Sequence, residues 1–458
     1  YYAGNFTVAS ITCYQYSDDE MILDQDFLPL SYFTLRQART EHSVTEDLVF
    51  RSRGDKAYRW LLGAFGFYRH GTMNAPVHFK QTGIEELILK YANENDQSYR
   101  YSWGLKDGTG GDELFLRSDF RMPSAGGALY HESNYTLGRW RFTAGLRFDF
   151  EHARLRYRNY TDTWYTKTHI KNETAYERPI DIDDRSTLKQ TFTELLPKFS
   201  VMYSFDETRN LYLTIAKGYK SGGFNTQIFS DVLQQKMMNR MGIGEVYDVQ
   251  RGVAYKPEYS WNYEIGGHFS CMEGAVRGDF ALFYIDCRDQ QLTVFPPGQT
   301  TGRMMTNAGR TRSLGAEAAV QISPWRTFDI NLAYGYTDAR FVRYETTVKN
   351  DDGDPVRISY KDNRIPYAPQ HTLSAGAAWT VPTGVKWLGD LVFQAGVRCA
   401  GRIWWNEENT LSQPFYALTE RLGPQPHRRR LRRILFQIDR QRVRPARTPP
   451  HIRHHTEH

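Results

Sequence analysis

The stretch FSVMYSFDETRNLYLTI, residues 199–215, carries the pattern that decides the fold. Apolar and aromatic side chains stand at every second position of its first part, at Phe199, Val201, Tyr203 and Phe205. Five polar residues follow, and the alternation then resumes at Leu211, Leu213 and Ile215. Successive residues of a strand point to opposite faces of the sheet. The stretch therefore predicts two antiparallel strands joined by a tight turn, with one apolar and one polar face.

The same alternation recurs along the chain. It is clearest in Trp140–Glu151, Phe328–Thr337 and Leu391–Arg402, and about thirteen such segments precede Trp405. Most reach the ~9–11 residues that a tilted strand needs to cross a bilayer. Gly126–Thr136 and Arg277–Gln290 are included in this count although they alternate poorly. The pattern predicts an all-β chain of long strands.

Short and long connections take turns between these segments. The short ones are Gly54–Ala57, Leu137–Gly138, Asp206–Asn210, Glu273–Val276, Pro324–Thr327 and Pro382–Gly389. The long polar ones are His70–Ser124, Arg156–Lys189, Ser221–Ser260, Leu292–Thr311 and Glu345–Pro369. A meander with turns at one end and loops at the other is typical of outer-membrane barrels. We expect the turns to face the periplasm and the loops to face outside.

Composition favours a membrane barrel over two other classes. Mean hydropathy is −0.62 over 458 residues, and no apolar run approaches the ~18 residues of a membrane helix. A barrel strand has no such run and a low mean hydropathy, because its apolar residues alternate with polar ones. Aromatic residues make up 14% of the chain and suit membrane–water interfaces. A soluble β-sandwich or propeller would have strands of about five or six residues and short loops at both ends. We therefore predict a transmembrane antiparallel β-barrel.

The four cysteines and the first residue add little to this prediction. Cys13, Cys271, Cys287 and Cys399 lack zinc or redox spacing. The inferred registers do not place Cys271 opposite Cys287, so we expect unpaired residues of the barrel wall. The chain starts at Tyr1 without a leader. We expect a mature piece or a fragment, for which a missing signal peptide says nothing about location.

Five passages, in this order and spread over about 330 residues, resemble the barrel of the TonB-dependent outer-membrane receptor family. They are EDLVFRS with WLLGAF (46–52 and 60–65), LPKFSVMYSFDETRNLYLTIAKGYKSGGFN (196–225), PEYSWNYEIG (257–266), NAGRTRSLGAE (307–317) and YAPQHTL (367–373). Some of these residues also have a physical reason. The glycines in Ser221–Phe224 let the chain leave a strand sharply. We place Glu264, Glu317 and Arg147 on inward faces, where a wet lumen tolerates charge.

The resemblance implies a 22-stranded barrel closed by an N-terminal plug domain, which carries a peptide for the energy-coupling protein TonB. Neither plug nor peptide is recognisable here, and by our count the first six or seven strands are also absent. We expect residues 1–420 to be the middle and late barrel, incomplete at both ends. The implied function is import of a scarce chelate, with a ferric siderophore as first choice, across a bacterial outer membrane. Its expected partners are the chelate, TonB and outer-membrane lipid, not nucleic acid.

Other functions stay open at this point. Receptors for haem, cobalamin and glycans belong to the same family. A passive porin or a surface adhesion barrel is the alternative outside it. A barrel with enzymatic activity would need a nucleophile or a metal site, and the sequence shows neither.

The resemblance also implies that ligand is captured by aromatic and basic residues in the outer loops. We place the candidates at loop bases, and they are Arg147, Tyr219, Lys220, Phe224, Arg402, Trp404 and Trp405. Tyr or Trp beside Arg or Lys suits an anionic iron chelate. For Trp404 and Trp405 we favour the alternative of an interfacial aromatic girdle, and Lys220 is equally open to interpretation as a solvated loop charge.

The sequence offers no catalytic, cofactor or metal motif. GTGG at 108–111 lacks the Lys-Ser/Thr partner of a phosphate loop. The many carboxylates suit a solvated surface or lumen better than a glycosidase dyad. Asn350, Asp352 and Asp354 begin like a calcium loop. Pro355 and Lys361 then occupy the places where such a loop needs Gly and Glu. We expect no enzyme, cofactor or metal site.

Residues 421–458 do not continue the barrel pattern. They contain 11 Arg, no Lys, 5 His and two acids, and without them the formal charge falls from +6 to −3. A basic arm for nucleic acid or lipid and a metal site at His451, His454, His455 and His458 are alternatives. Phe415–Thr419 begins like the next barrel strand. We favour a disordered Arg/His/Pro-rich tail produced by out-of-frame translation of the last three strands.

Overall fold

The computed structural model describes residues 1–24, 30–90, 93, 101–107, 111, 113–243, 250–294, 304–349, 355–385 and 389–427. Fourteen long strands form a wall: β1 Phe6–Leu23, β2 Phe33–Ser52, β3 Tyr58–Asn74, β4 Leu114–Leu137, β5 Trp140–His169, β6 Ala175–Ser204, β7 Asn210–Lys220, β8 Glu258–Cys271, β9 Val276–Val294, β10 Met304–Trp325, β11 Phe328–Arg343, β12 His371–Pro382, β13 Asp390–Ala400 and β14 Tyr416–His427. Each pairs antiparallel with the next in chain order. The predicted all-β meander of thirteen strands before Trp405 is confirmed.

Smaller elements occupy the connections. Short strands are Tyr2–Ala3, Val77–Phe79, Tyr101–Asp107, Gly223–Phe224, Ala254–Tyr255, Glu345–Lys349, Pro355–Ser359, Ile403–Trp404 and Ser412–Gln413. The one long helix among the described residues is α1, Phe229–Met241. Shorter helical turns are Gln81–Gly83, Ile84–Leu89, Gln250–Val253 and Met272–Gly274. No helix in the described part of the chain is both long and apolar enough to cross a membrane.

All six predicted tight connections lie at one end of the wall, which we call the turn end. Four of them contain a glycine in the left-handed region, among them Gly54 at φ +85° and Gly138 at φ +59°. Residues with a Cβ rarely adopt that conformation. The opposite edge, the loop end, carries the longer connections.

The loop end differs from the sequence prediction most clearly at two hairpins. We predicted a polar excursion at 156–189, but β5 continues to His169 and β6 starts at Ala175, paired throughout. Likewise β9 and β10 pair as far as Val294 and Met304. Both predicted loops are therefore wrong over most of their length. The reason is that the outward faces become polar beyond the lipid while the strands themselves continue.

The two faces of the wall have the predicted polarity. On β5, Leu146, Phe148 and Phe150 point outward and are 49%, 48% and 46% exposed. Their neighbours Arg147 and Asp149 point inward and pair with each other at 2.8 Å. Half-exposed phenylalanines in a row suit a lipid-facing surface, and paired charges suit a wet lumen.

The buried apolar clusters lie on the inward faces at the loop end. Odd positions of β5 and even positions of β4 and β6 face inward, as the register shows. The fully or almost fully buried Leu155, Leu116, Phe120, Ile180 and Ile182 all follow that parity. The same holds for Phe341 of β11, which packs with Tyr344 and Tyr360. The core of this structure therefore fills the inside of the wall above the membrane-crossing part.

Several smaller predictions fall on these strands. All four cysteines are free, and Cys287 lies opposite Ser260 while Cys271 lies opposite Val276, as expected. β14 runs to His427 and so crosses the predicted boundary at 421. Residues 428–458 and the calcium-like positions 350, 352 and 354 lie outside the described residues. The out-of-frame tail remains a prediction.

The face assignment predicts opposite outcomes for two neighbouring substitutions in β11. Leu332→Arg places a charge toward lipid and should destabilise the folded barrel by roughly 2–4 kcal/mol near mid-bilayer. Asn331→Arg places the same charge in the lumen and should be tolerated. Urea unfolding of both variants in lipid vesicles measures the difference. Equal loss of stability would show that the faces are assigned wrongly.

Candidate ligand-binding site at the loop end

Residues 221–257 leave β7 and return at β8, and α1 lies in the middle of this segment. Phe229 of α1 packs inside the wall, with its ring centroid 5.1 Å from Phe120 of β4 and 4.5 Å from Tyr157 of β5. Farther along the helix, Leu233 and Met237 are fully buried in the cluster that includes Ile180 and Ile182 of β6. The helix therefore lies on the inward face of β4–β6.

The sequence contains a signal for this helix, although the alternation of the strands does not predict it. Phe229, Leu233, Met237 and Met241 repeat at four-residue spacing and are all buried, as expected for one face of a helix. Gly242 ends the helix with φ +78° and donates its N–H to the carbonyl of Asn239. We had assigned the whole segment 221–260 to a loop.

Buried polar contacts attach α1 to the wall. Asn159 of β5 is completely buried; its Nδ2 donates to the Phe229 carbonyl at 2.7 Å, and its Oδ1 accepts from Ser118 Oγ at 2.5 Å. At the other end, Lys236 Nζ pairs with Asp184 of β6 at 2.5 Å. Buried polar groups that keep all their partners favour one arrangement over others. The helix is thus docked in a defined position.

The same segment also forms hydrogen bonds with β9 and β10, in another part of the wall. Asn225 Nδ2 donates to the Met305 carbonyl at 2.8 Å, and Asn225 Oδ1 accepts from Met305 N at 2.7 Å. Gln291 of β9 donates from Nε2 to the Ser221 and Lys256 carbonyls. Since α1 contacts β4–β6 and Asn225 contacts β10, the segment crosses the interior at the loop end.

Two of the predicted ligand residues, Arg147 and Tyr219, lie near each other on the inside of the wall. β7 pairs with β6 only as far as Ala216, and beyond it Lys217 Nζ pairs with Glu194 at 3.0 Å. Tyr219, half-buried, lies within electrostatic reach of Arg147. The Arg147 guanidinium also lies 5.5 Å from the ring centroid of Tyr130. Arg147 stands seven residues into β5 rather than at a loop base, where we had placed it.

The other predicted residues are divided between two places. Phe224 pairs with Ala254 and packs beside α1, which makes it part of the apolar packing. Lys220 is exposed at the end of β7. Arg402, Trp404 and Trp405 lie beyond the end of β13, and five strands, β8–β12, separate β13 from β7 in the wall.

Arg402, Trp404 and Trp405 belong to a small hairpin in which Ile403–Trp404 pairs with Ser412–Gln413. The Arg402 guanidinium lies 5.4 Å from the Trp404 ring centroid. Trp404 Nε1 is buried and has no hydrogen-bond partner among the described residues. The exposed Trp405 ring meets Tyr367 at 5.5 Å between centroids. A buried indole N–H without a partner is costly, and beside a guanidinium it suits an anionic acceptor.

The neighbouring connection supports this hairpin from one side. Tyr360 OH donates to Glu408 Oε1 at 2.7 Å, and Asn363 Nδ2 donates to the Glu407 carbonyl at 2.9 Å. Burial raises the pKa of Tyr344 to about 12. Burial, reinforced by the charge of Glu408, also raises the pKa of Glu407. The Glu408 carboxylate is therefore held by Tyr360, while both Glu408 and Arg402 are exposed to water.

The lumen wall at the turn end is also polar. A cavity of about 610 Å³ opens there, with His268, Arg277, Asp279 and Asn331 in its lining. An adjoining cavity of about 440 Å³ is lined by Glu317 and Arg398 among others. Glu264 accepts a hydrogen bond from Tyr212 OH at 2.8 Å. The predicted inward positions of Glu264, Glu317 and Arg147 are confirmed. No group of metal-ligating side chains occurs among the described residues.

A long-stranded meander with an apolar outer face and a charged lumen defines an outer-membrane β-barrel. Residues 5–422 match the family model for the TonB dependent receptor-like β-barrel. The chain belongs to this family. It is an outer-membrane protein of the Gram-negative type, and its relatives are receptors and not enzymes, as we expected.

Individual relatives agree with the family. The pesticin receptor of Yersinia enterocolitica is 27% identical over 231 residues, which cover 50% of this chain and 28% of the receptor. The pesticin receptor of Yersinia pestis is 26% identical over the same length. The match thus spans less than a third of these curated relatives.

Two solved structures share the fold. The ferric yersiniabactin uptake receptor FyuA from Yersinia pestis has a TM-score of 0.58 and 17% identity, covering 92% of this chain and 51% of that one. The siderophore receptor PiuA from Acinetobacter baumannii has a TM-score of 0.58 and 13% identity, covering 91% and 55%. At such identities the likeness shows the fold alone.

The docking of α1 should depend on pH through Asp231 in its first turn. Burial raises the pKa of this carboxyl to about 6. The docked helix therefore holds the proton more tightly than the undocked one, and docking weakens as pH rises from about 4 through about 6. Asp231→Asn should strengthen docking at neutral pH by about 1–2 kcal/mol, less than the full pKa shift would give, because the side chain keeps some contact with water.

Hydrogen exchange of the α1 amides at about pH 5 and about pH 8, corrected for the intrinsic rates, measures this effect. The wild type should lose protection at the higher pH, and Asp231→Asn should not. Asp55→Asn at the turn end is the matched control and should behave like the wild type. If Asp231→Asn keeps the full pH dependence, another group controls the docking.

Proposed function

We propose that the chain is the barrel portion of an energised importer that takes up a ferric siderophore. The observation that carries the proposal is the Arg402–Trp404 pair at the loop end, where an unpartnered indole N–H lies beside a guanidinium. A ferric siderophore that carries carboxylate or phenolate oxygens offers both the negative charge and the acceptors that this pair lacks. Trp405 and Tyr367 add an aromatic surface beside it.

The crossing segment 221–257 supports an importer over a passive pore. It is attached to β4–β6 through α1 and to β10 through Asn225, so it narrows the interior from above. A ligand that enters past the hairpin would then meet the Arg147–Tyr219 group, which combines a guanidinium with two tyrosines, Tyr130 and Tyr219. Tyr219, Lys220 and Phe224 at the base of the segment complete the proposed route. A porin would need this path open to solutes at rest.

The rest of the transport machinery belongs to the same proposal. The charged lumen wall of β8–β13 suits contact with a polar plug domain, through which TonB would act. In the described residues β1 and β14 do not pair with each other. Lipid cannot satisfy an open edge, so further strands of a 22-stranded barrel would close the seam. The barrel portion, predicted as residues 1–420, would then extend to the end of β14 at His427, followed by the Arg/His/Pro-rich tail that we attribute to out-of-frame translation.

The ligand class is tested with the full-length protein and a panel of three chelates: a ferric siderophore, haem and cobalamin. Arg402→Gln should weaken siderophore binding about tenfold or more, because it removes a charge-assisted hydrogen bond. Trp404→Phe removes only the indole N–H and should weaken binding about three- to tenfold. Ligand binding is measured on the purified protein by quenching of tryptophan fluorescence. The abundance of the protein is measured separately, in cells grown with and without iron.

Arg357→Gln is the matched control, since its guanidinium is 78% exposed in another connection at the loop end. This variant should bind the siderophore like the wild type. In the separate abundance measurement, iron starvation should raise the amount of the wild-type protein. Binding of haem or cobalamin in place of the siderophore would reassign the ligand within the family. Equal losses in Arg357→Gln and Arg402→Gln would reject the hairpin as the contact site.

A further inference from the structure

A cluster of cations covers the outward face of β4–β6 toward the loop end. We call it the outer cationic patch, and its members are Arg121, Arg154, Arg156, Arg158, Arg185 and Lys189. All six share the outward parity of Phe148 and Phe150. They point away from the lumen, away from α1 and away from the proposed ligand route. The patch therefore has no part in the function proposed above.

The height of the patch follows from β5. Its outward residues from Trp140 to Phe150 are apolar, and Arg154, Arg156 and Arg158 come after His152. Ten residues at ~3.3 Å each, tilted by about 40°, span roughly 25 Å, the height of the apolar band of an outer-membrane barrel. Arginine near mid-bilayer would be strongly unfavourable. The patch thus begins where the hydrocarbon ends, at the level of the lipid headgroups on the loop side.

The cations of the patch are placed opposite one another across the strands. Arg121 is the direct partner of Arg156, Arg154 is the partner of Lys189, and Arg158 is the partner of Arg185. Like charges directly opposite in a sheet repel each other. Three such pairs side by side are unfavourable unless anions lie between them.

The protein supplies an anion to only one of the three pairs. Asp183 accepts from Arg158 at 2.9 Å and from Arg185 at 2.5 Å. Asp119, opposite Arg158, accepts from Asn74. Among the described residues, no carboxylate lies within ion-pair distance of Arg121, Arg154, Arg156 or Lys189, and Arg154 Nε donates to His152 Nε2 at 2.8 Å. Farther from the membrane, Asp162 and Asp181 are again acidic and exposed. The unpaired cations are therefore confined to a belt next to the apolar band.

We propose that the outer cationic patch binds the phosphate groups of a phosphorylated lipid in the outer leaflet. Guanidinium groups bind phosphate oxygens through paired N–H donors, and phosphates between Arg121 and Arg156 and between Arg154 and Lys189 relieve the repulsion. The acyl chains of the same lipid then lie along Phe148, Phe150 and Leu195, the exposed apolar residues just below. This continuity of charge with apolar surface selects a lipid over a free anion.

The test uses the full-length protein in detergent, stripped of lipid, and native mass spectrometry with diphosphoryl lipid A as the probe. The triple variant Arg121→Gln, Arg156→Gln and Lys189→Gln removes three of the four cations that have no carboxylate partner, and it keeps Arg154, which donates to His152. Each cation near an anionic lipid surface contributes about a factor of five, so lipid A should bind about a hundredfold more weakly. The triple variant Arg326→Gln, Arg357→Gln and Lys361→Gln removes the same charge from exposed positions elsewhere and should bind like the wild type.

Phosphatidylcholine, which has no net charge, should bind equally weakly to the wild type and to both variants. Unchanged lipid A binding in the patch variant, or equal loss in the control, would overturn the proposal. Displacement of the lipid by inorganic phosphate would overturn it in favour of a free-anion site. If the triple variant does not fold, the single variants Arg121→Gln and Arg156→Gln test the proposal in its place. Each should bind lipid A about fivefold more weakly than the wild type. Siderophore binding is a separate measurement on the lumen side and can fail independently.

Discussion

The rest of this structure depends on one constraint, the pairing of every backbone N–H and C=O of the membrane-crossing strands with a neighbouring strand. Hydrocarbon offers these groups no partner, so an exposed edge or an irregular segment within it is prohibitively unfavourable. The continuous registers of β2–β6, which run without a shift, satisfy this demand. Once the strands are paired, each residue is assigned to one of two faces. Contact with lipid favours apolar side chains on the outward face, and contact with water in the lumen favours polar side chains on the inward face.

Above the membrane the same strands reverse the polarity of their faces. On β5, outward Phe148 and Phe150 give way to Arg154 and Arg156, while inward Arg147 and Asp149 give way to the buried Leu155. The backbone has not changed, but its surroundings have, because water replaces lipid outside and α1 replaces water inside. This reversal produces the docking surface for α1, the polar rim that faces the lipid headgroups and the loop end on which the ligand residues lie.

Sequence patterns predicted the membrane-crossing part almost completely and the loop end poorly. Thirteen strands, six turns and both faces followed from alternation, which lipid enforces locally. The sequence did not predict the extension of β5 and β6, because their outward residues become polar there. A run of polar residues is typical of a loop. α1 was missed although Phe229, Leu233, Met237 and Met241 showed its spacing. Arg147 and Tyr219 lie near each other because β7 separates from β6 after Ala216. The alternation of residues within one strand does not predict where two strands separate.

The reversal of polarity along β5 is tested most directly by spin labels placed one at a time from Thr143 to Asn159, with lipid-soluble oxygen and a water-soluble nickel complex as relaxing agents. The structure predicts that outward labels favour oxygen up to Phe150 and the nickel complex from Arg154 onward. Inward labels should contact the nickel complex at Gly145 and Arg147, and should be shielded from both agents at Leu155, where α1 covers the strand. Alternation that stops after Glu151, or free access of the nickel complex to Leu155, would contradict the account.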